Sequence, residues 1–406
     1  MLFNLKRYTS AFFNILATAS FKSPAPAPVL VVDQVASDDI RGALKHIPSS
    51  ILPVRGELQY ISPRIISLMI RRNFEKAKQF SYGSKNFLTS LFRFSWNNYA
   101  DSIVAHVGPK IIITFIDNYQ PFYTMSERNP GIIFIAVQNG TRTLDEILPI
   151  NSKNKNPAFL FCFGEHDRDL YSQKGYDRSR ITVAGSLRQS LWKRSAGSPN
   201  RKYDVCIISE WRASTFRSVD PENPGFREAC HRIYTYMARL IDEEGIKCCF
   251  AINKDCPELR AYIEPIFGNS VFIAVPESSI NTYDLLNSSK LAVSVASTTG
   301  REAIAVGCRS LIYDTTDGHR YYDGEKKLES IHLLDPSYDK FKTRVLKILA
   351  QSDEEYDEEQ GTACRYAIST LDKTSSADLL YDFVKTELEK KQYNSVIGNT
   401  QFAAFS

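Results

Sequence analysis

The sequence predicts an α/β protein of two doubly wound, Rossmann-like domains facing each other across a cleft, and three features predict it. Short apolar runs, each long enough for one buried parallel strand, recur along the chain and alternate with stretches of helical periodicity. Many of these runs end in a cluster of small or polar residues, the place where open α/β sheets bind ligands. The alternation restarts after the polar segment 195–202, which contains Gly197 and Pro199 and reads as a linker. This divides the chain into an N-terminal segment with its Pro/Ala linker (1–28), a first α/β domain (29–195), a second (196–362), and a C-terminal helix with a tail (363–406).

Residues 1–28 carry Lys6 and Arg7, an apolar stretch broken by Asn14, and the Pro/Ala-rich linker. The stretch is too short to cross a membrane, and its resemblance to a signal peptide conflicts with the nucleotide-binding pattern that follows. It reads as an amphipathic anchor, with Phe3, Phe12, Phe13 and Leu16 on the apolar side and Lys6, Arg7 and Lys22 near lipid headgroups. A frayed N-terminal helix with no membrane role fits the same residues.

The apolar run 29–33 is the first strand, and Ser37, Asp38 and Asp39 open a helix over 40–46. Residues 51–54 form a second strand, a loop covers 56–63, and helical spacing then continues to about 105. Four further strands follow, each with a polar end. The run 110–116 precedes Asp117 and Asn118; 131–137 precedes Gln138, Asn139, Gly140, Thr141 and Arg142; 158–163 precedes Gly164, Glu165 and His166; 181–184 precedes Gly185, Ser186, Leu187 and Arg188. Any one cluster serves as a turn, since Asn-Gly is a turn dipeptide. Four in succession place a ligand-facing rim on one edge of the sheet.

The second domain begins with the strand 203–208, ending in Ser209, Glu210, Trp211 and Arg212. Arg212 offers a planar fork for phosphate oxygens, or is a surface Arg over Trp211. A helix over 226–242 and strands at 247–252 and 270–275 lead to the most informative stretch. There a short helix (283–289) precedes an apolar strand (291–296), the turn Ser297-Thr298-Thr299-Gly300, and a helix opening at Glu302. A helix N-terminus after a strand presents unpaired N–H groups and a positive dipole end to a phosphate, and the hydroxyls donate to the same anion. Glu302, one turn inside, is placed to accept from ribose hydroxyls. The same pattern also makes a plain N-cap followed by a solvated acid. Residues 363–391 read as helical, and 392–406 as a poorly ordered tail.

Composition narrows the function. With 50 Lys and Arg against 46 Asp and Glu, the formal charge of +4 is too balanced, and the basic residues too dispersed, for a nucleic-acid partner. No GxGxxG follows the first strand and no GxxxxGK[ST] is present, which argues against a dinucleotide oxidoreductase and a P-loop kinase. No DxD-type pair or CxxC spacing suggests a metal. The eight cysteines read as reduced core thiols of a cytosolic protein.

The helix, strand, small-residue turn and acidic helix over 283–306 resemble the carboxyl-terminal half of GT-B-type glycosyltransferases. The endings Phe-Ile-Asp-Asn (115–118), Gln-Asn-Gly-Thr-Arg (138–142) and Ala-Gly-Ser-Leu-Arg (184–188) resemble motifs of the bacterial surface-carbohydrate (capsule and O-antigen) biosynthesis proteins of that superfamily. Nucleotide-sugar 2-epimerases and polyol-phosphate transferases are more distantly similar. The resemblance implies a nucleotide-activated sugar as co-substrate, with no separate cofactor or metal, bound mainly by the second domain through Ser209, Glu210, Arg212, Pro276, Glu277, Ser297, Thr298, Thr299, Gly300 and Glu302. It implies a glycan or lipid-linked acceptor bound by the first domain around Asn118, Gln138, Asn139, Gly140, Arg142, Gly185, Ser186 and Arg188. The expected location is the cytoplasm, as a peripheral protein at the inner membrane face where the anchor reading holds. An inverting transfer needs a base on the acceptor side. Asp117, at the rigid end of its strand, comes first, and His166, deeper in a loop, second. Epimerisation of a nucleotide sugar, transfer of a polyol phosphate from a CDP-linked donor, and a non-catalytic scaffold of a polysaccharide assembly complex stay open as alternatives.

Overall fold

The computed structural model describes residues 19–33, 37–53, 59–76, 87–149, 154–194, 196–210, 225–252, 257–274, 282–316, 325–370 and 374–403. The apolar anchor residues Phe3, Phe12, Phe13 and Leu16, and the site candidates Arg212, Pro276 and Glu277, lie outside the described residues. The fold is α/β with two parallel sheets flanked by helices, as the alternation of runs predicts. The chain separates into two compact units. One comprises 1–139, 150–161 and 377–406, the other 140–149 and 162–376. The segment 196–362 therefore lies wholly in the second unit, while 29–195 contributes to both.

In the first unit, β1 (Ala19–Ser20) pairs with β4 (Gln59–Tyr60). The strands β2 (Val29–Val32), β3 (Ser49–Leu52), β5 (Ile111–Thr114), β6 (Ile133–Val137) and β7 (Phe159–Cys162) pair in parallel in the order β3-β2-β5-β6-β7. Every residue of β2 and β5 is buried, so these strands are apolar throughout rather than alternating. The intervening helices are α1 (Ser37–Leu44), α2 (Pro63–Lys76), α3 (Phe87–Val107) and α4 (Gln120–Arg128). Asp101 on α3 ties three of them together, taking the Arg128 guanidinium at 3.0 Å and Lys76 at 3.3 Å.

In the second unit, α5 (Glu165–Gln173), the short β8 (Ile181–Val183) and α6 (Leu187–Lys193) precede a sheet of order β11-β10-β9-β12-β13. Its strands are β9 (Tyr203–Ile208), β10 (Cys248–Ala251), β11 (Val271–Ala274), β12 (Ser289–Ser294) and β13 (Arg309–Ile312), and every pairing is parallel. Successive residues of a strand face opposite sides. Val205, Ile207, Phe250, Leu291 and Val293 pack with α7 (Phe226–Glu244), α8 (Pro257–Phe267) and α11 (Tyr338–Ala350). Cys206, Ile208, Cys249, Ala251 and Ala292 pack on the other face with α9 (Thr282–Asn287) and α10 (Thr298–Val306). This is a doubly wound sheet with its own core on each face.

The chain closes with α12 (Asp353–Ala367) and α13 (Ser376–Ala403). Residues 392–403, expected to be a poorly ordered tail, continue α13, and 404–406 lie outside the described residues. This helix is fastened to the first unit: Phe383 meets Phe159 and Phe161 at ring distances of 4.9 and 5.5 Å, and Lys391 donates to the Gly131 carbonyl at 2.5 Å. Seven cysteines of the described residues are buried free thiols. Among the described residues no helix is long and apolar enough to cross a membrane.

Candidate functional site

The site is built in the second unit where β12 and β13 end. After Ser294 the chain turns through Val295, Ala296 and Ser297 into α10. Glu210, just past β9, holds that turn: its carboxylate accepts from Val295 N–H at 2.6 Å and from Ala296 N–H at 3.0 and 3.1 Å. Two strand-end donors are thereby satisfied without blocking the helix. Ser297 caps α10, its Oγ accepting from Thr299 N–H at 3.2 Å. The helix begins at Thr298, so Thr298, Thr299 and Gly300 are its first turn rather than a loop before it. Gly300 is required by contact, since a Cβ there would overlap Ser294 Oγ. Ser310 of β13 also reaches the Gly300 carbonyl, Oγ donating at 2.7 Å.

Residues 140–146 form the facing wall. Thr141 N–H donates to Thr298 Oγ1 at 3.0 Å. Thr143 and Glu146 make a capping box around the 3₁₀ turn Leu144–Glu146, with Glu146 Oε2 accepting from Thr143 N–H at 3.0 Å. A small, partly open pocket lies between these elements, lined among others by Arg142, Glu146, Ser297, Arg301, Ile312 and His332. Arg142, grouped with the acceptor residues by sequence position, thus sits beside the α10 N-terminus.

Arg301 is buried at 3% exposure. Its Nη1 lies 3.2 Å from His166 Nδ1 and 3.8 Å from Asp167 Oδ1. His166 is therefore not a loop residue. It occupies the first turn of α5, is 3% exposed, meets Tyr366 edge-on at 5.7 Å, and receives the Arg301 guanidinium on its Nδ1 lone pair. In this arrangement it positions Arg301. His332 was not foreseen from the sequence. It follows the 3₁₀ turn Lys326–Ile331, bridges to Ile312, and its Nδ1 donates to the Leu328 carbonyl at 2.8 Å. No apolar run announces it, and only the bridge to β13 brings it to the pocket.

Glu302 is buried at 6% exposure, and its Oε1 accepts from Ser186 Oγ at 2.5 Å. Burial, together with the Glu302 carboxylate beside it, pushes the Tyr283 phenol well up. Gln189 Nε2 donates to the Ala305 carbonyl at 2.9 Å, so α6 is seated along α10. Ser186 therefore serves the helix that carries Glu302, and exposed Arg188 lies close enough for its charge to act on Tyr283. Ser209 is buried, with its N–H on the Ala251 carbonyl at 2.8 Å.

Gly185 has a different explanation from ligand contact. Its φ is +78°, and a Cβ would strike the Ser369 carbonyl; at Gly164 a Cβ would strike the carbonyls of Tyr366 and Ala367. Ser369 N–H donates to the Phe163 carbonyl at 2.8 Å. Both glycines admit the backbone that leaves α12.

The first unit holds Asp117, Asn118, Gln138 and Asn139. Asp117 is 1% exposed, and its Oδ1 accepts from Asn139 N–H at 3.2 Å, joining the chain after β5 to the chain after β6. Asn118 is exposed, while Gln138 is buried with its N–H on the Phe161 carbonyl at 2.9 Å. Among the described residues no three His, Cys, Asp or Glu side chains converge as metal ligands.

A family model described as "putative O-antigen biosynthesis protein" matches residues 135–329, a little under half of the chain. No curated protein sequence matches. Among solved structures, the chain is similar to a "putative UDP-N-acetylglucosamine 2-epimerase" from Listeria monocytogenes, with TM-score 0.56, 12% identity and coverage of 90% of this chain and 98% of that one. It is also similar to the UDP-GlcNAc 2-epimerase of Neisseria meningitidis bound to UDP-GlcNAc (TM-score 0.51, 12% identity, 89% and 99% covered). A third is the wall teichoic acid polymerase TagF (TM-score 0.50, 9% identity, 96% and 95% covered). The likeness spans nearly the full length of each and establishes the GT-B-type fold. The resemblance to surface-carbohydrate biosynthesis proteins read from the sequence is borne out by the family match.

Proposed function

We propose that the protein is a glycosyltransferase that moves a sugar from a nucleotide-activated donor to a cell-surface glycan or its lipid-linked precursor. The observation that carries this reading is the pocket at the ends of β12 and β13, where the α10 N-terminus, Arg142 and Arg301 converge. A helix N-terminus with guanidinium groups beside it suits a phosphorylated leaving group, because developing negative charge is met by dipoles and cations already in place. Glu210 and Gly300 supply the preorganisation by fixing the turn and the helix approach. Glu302 faces the ribose in this reading. The family match at 135–329, which spans the whole pocket except His332, supports a role in O-antigen-type synthesis. The protein works at the inner face of the cytoplasmic membrane, where nucleotide sugars and lipid-linked acceptors meet.

Incubation of the purified protein with a panel of nucleotide sugars, with and without lipid-linked acceptors, tests this by mass spectrometry. Acceptor-dependent release of a nucleotide is the expected result. Isomerisation of a donor without acceptor would replace the reading with epimerisation, the activity named for two of the similar structures. Release of a CMP-type product from a CDP-polyol would replace it with phosphotransfer.

A further inference from the structure

Of the residues of α2 only Ile65 is buried, and the helix meets α3 along one side, where Asn98 Nδ2 donates to Asn73 Oδ1 at 2.6 Å and Lys76 pairs with Asp101 at 3.3 Å. The other side carries Pro63, Ser67, Ile70 and Phe74, which recur at helical spacing and are all exposed. Among the described residues, Phe74 and Phe21 are the most exposed large apolar side chains, at 79% and 78%, and Ile70 follows at 46%. Phe21 stands by the start of the same helix. Beside it Ile61 N–H donates to the Ser20 carbonyl at 2.8 Å, and the Ser23 and Ser62 hydroxyls meet at 2.7 Å, one residue before Pro63.

Positive charge gathers on this part of the chain. Residues 60–99 contain seven Lys and Arg against one acid, Glu75, and residues 1–28 contain three and no acid, in a chain of formal charge +4. Arg64 and Arg71 are exposed beside the apolar side of α2, and exposed Lys22 follows Phe21. Arg71 pairs with Glu75 at 2.7 Å, an exposed pair that water and salt screen. Cations this sparse do not track a nucleic-acid backbone, and protruding Ile70 has no ring on which a base could stack. Apolar side chains rimmed by cations instead fit acyl chains beneath anionic headgroups.

We infer that this face of the first unit, Phe21, Ile70 and Phe74 with Lys22, Arg64 and Arg71, docks on an anionic lipid surface. The inference rests on the membrane location proposed above and gives it a surface separate from residues 1–18. Docking there holds the unit that carries Asp117 against the bilayer in which a lipid-linked acceptor is embedded.

The test is co-sedimentation of the full chain with vesicles of phosphatidylcholine alone and of phosphatidylcholine mixed with phosphatidylglycerol. Wild type should bind the anionic vesicles at least about tenfold more tightly, each exposed cation contributing up to about fivefold, and added salt should shrink the difference. Ile70→Ser/Phe74→Ser changes only exposed side chains, so the fold should stay intact by circular dichroism while anionic-vesicle binding falls about tenfold or more. Arg64→Gln/Arg71→Gln should lower the anionic preference and leave phosphatidylcholine binding unchanged. Equal binding to both vesicle types, or binding unmoved by the Ile70 and Phe74 changes, overturns the inference. So does complete loss of binding in Phe12→Ser/Phe13→Ser, which alters the N-terminal segment alone, and so does a wild-type dimer that Ile70→Ser/Phe74→Ser makes monomeric without vesicle binding. Wild type that releases nucleotide with a detergent-solubilised acceptor but binds no vesicles overturns the inference and leaves the transferase reading standing. Vesicle binding that depends on Ile70 and Phe74, without nucleotide release from any donor, keeps the inference and overturns the transferase reading.

Discussion

Ser186 donates its hydroxyl to the Glu302 carboxylate at 2.5 Å, and both side chains are buried. They are 116 residues apart, Ser186 as the N-cap of α6 and Glu302 one turn inside α10, on two helices that pack side by side. Ser186 also caps its own helix, accepting from Gln189 N–H at 3.2 Å. Glu302 is consequently a structural residue as well as a candidate ribose ligand. Its single mutants should be read against stability.

Glu302→Ala and Ser186→Ala should each lower unfolding free energy by about 1–3 kcal/mol, the cost of orphaning a buried partner. In a double-mutant cycle by urea denaturation the two should couple by about 0.5–3 kcal/mol. Additive losses would show that the hydrogen bond contributes nothing. Glu302→Gln keeps an acceptor for Ser186, so its nucleotide affinity can be compared with wild type on a folded protein. A loss of about 1–3 kcal/mol is expected for a charged hydrogen-bond partner, and unchanged affinity would remove Glu302 from the ribose.

Glu210→Ala should disorder the turn into α10. It leaves Val295 and Ala296 N–H groups without their acceptor, which costs about 1–3 kcal/mol when such groups are buried. Nucleotide affinity should fall together with stability, because the helix N-terminus loses its fixed approach. Calorimetric binding that is unimpaired in a destabilised variant would separate the turn from the ligand.

What was legible in the sequence follows from the kind of signal each residue emits. The strands β2, β5 and β6 are almost wholly apolar, and β9 and β12 carry apolar runs at 205–208 and 291–293, so periodicity finds them to within a few residues. Ser297 and the helix after it were legible because capping chemistry is local. His166 was misplaced because the α5 N-cap is Gly164, which has no side chain to announce a helix start. The place of Arg142 beside the α10 N-terminus is not legible in the sequence, because chain order says nothing of the 157-residue span that the Thr141–Thr298 hydrogen bond closes. His332 and the Ser186–Glu302 pair are likewise products of long-range packing. Gly185 looked like a ligand turn because a glycine after a strand emits the same signal whether a phosphate or another backbone segment comes close.

Gly185→Ala should destabilise without touching the pocket. The φ of +78° is strained for alanine, and its Cβ would meet the Ser369 carbonyl, a backbone atom that cannot swing aside. Overpacking of this kind costs about 1–3 kcal/mol, measurable as a shift in urea midpoint. A neutral effect would mean that the 368–370 segment moves freely.

The buried thiols should resist alkylation in the folded state. Burial pushes Cys308 up to about 12 and Cys364 up to about 11, so the reactive thiolate is scarce at pH 8 as well as sequestered. Iodoacetamide followed by peptide mass spectrometry should label Cys206, Cys308 and Cys364 only after denaturation. Rapid labelling in the native protein would show that these cores open.

Asp117 and His166 compete for the role of base, and their surroundings make the comparison decisive. Inverting transfer needs a group that takes the acceptor hydroxyl's proton as the new bond forms. The Asp117 carboxylate is held by Asn139 N–H at 3.2 Å, and asparagine keeps an oxygen for that bond, so Asp117→Asn removes basicity while preserving the tie between the two strand ends. Turnover should fall by about 10²–10⁴-fold, the usual contribution of a positioned base, with donor affinity unchanged. His166 has its Nδ1 on the Arg301 guanidinium, so His166→Ala should act through Arg301: donor binding weakens, and turnover at saturating donor drops less than in Asp117→Asn. Near-normal turnover in Asp117→Asn would leave Asp117 as a tie between strands alone. A retaining transfer that uses no protein base would then account for the chemistry better.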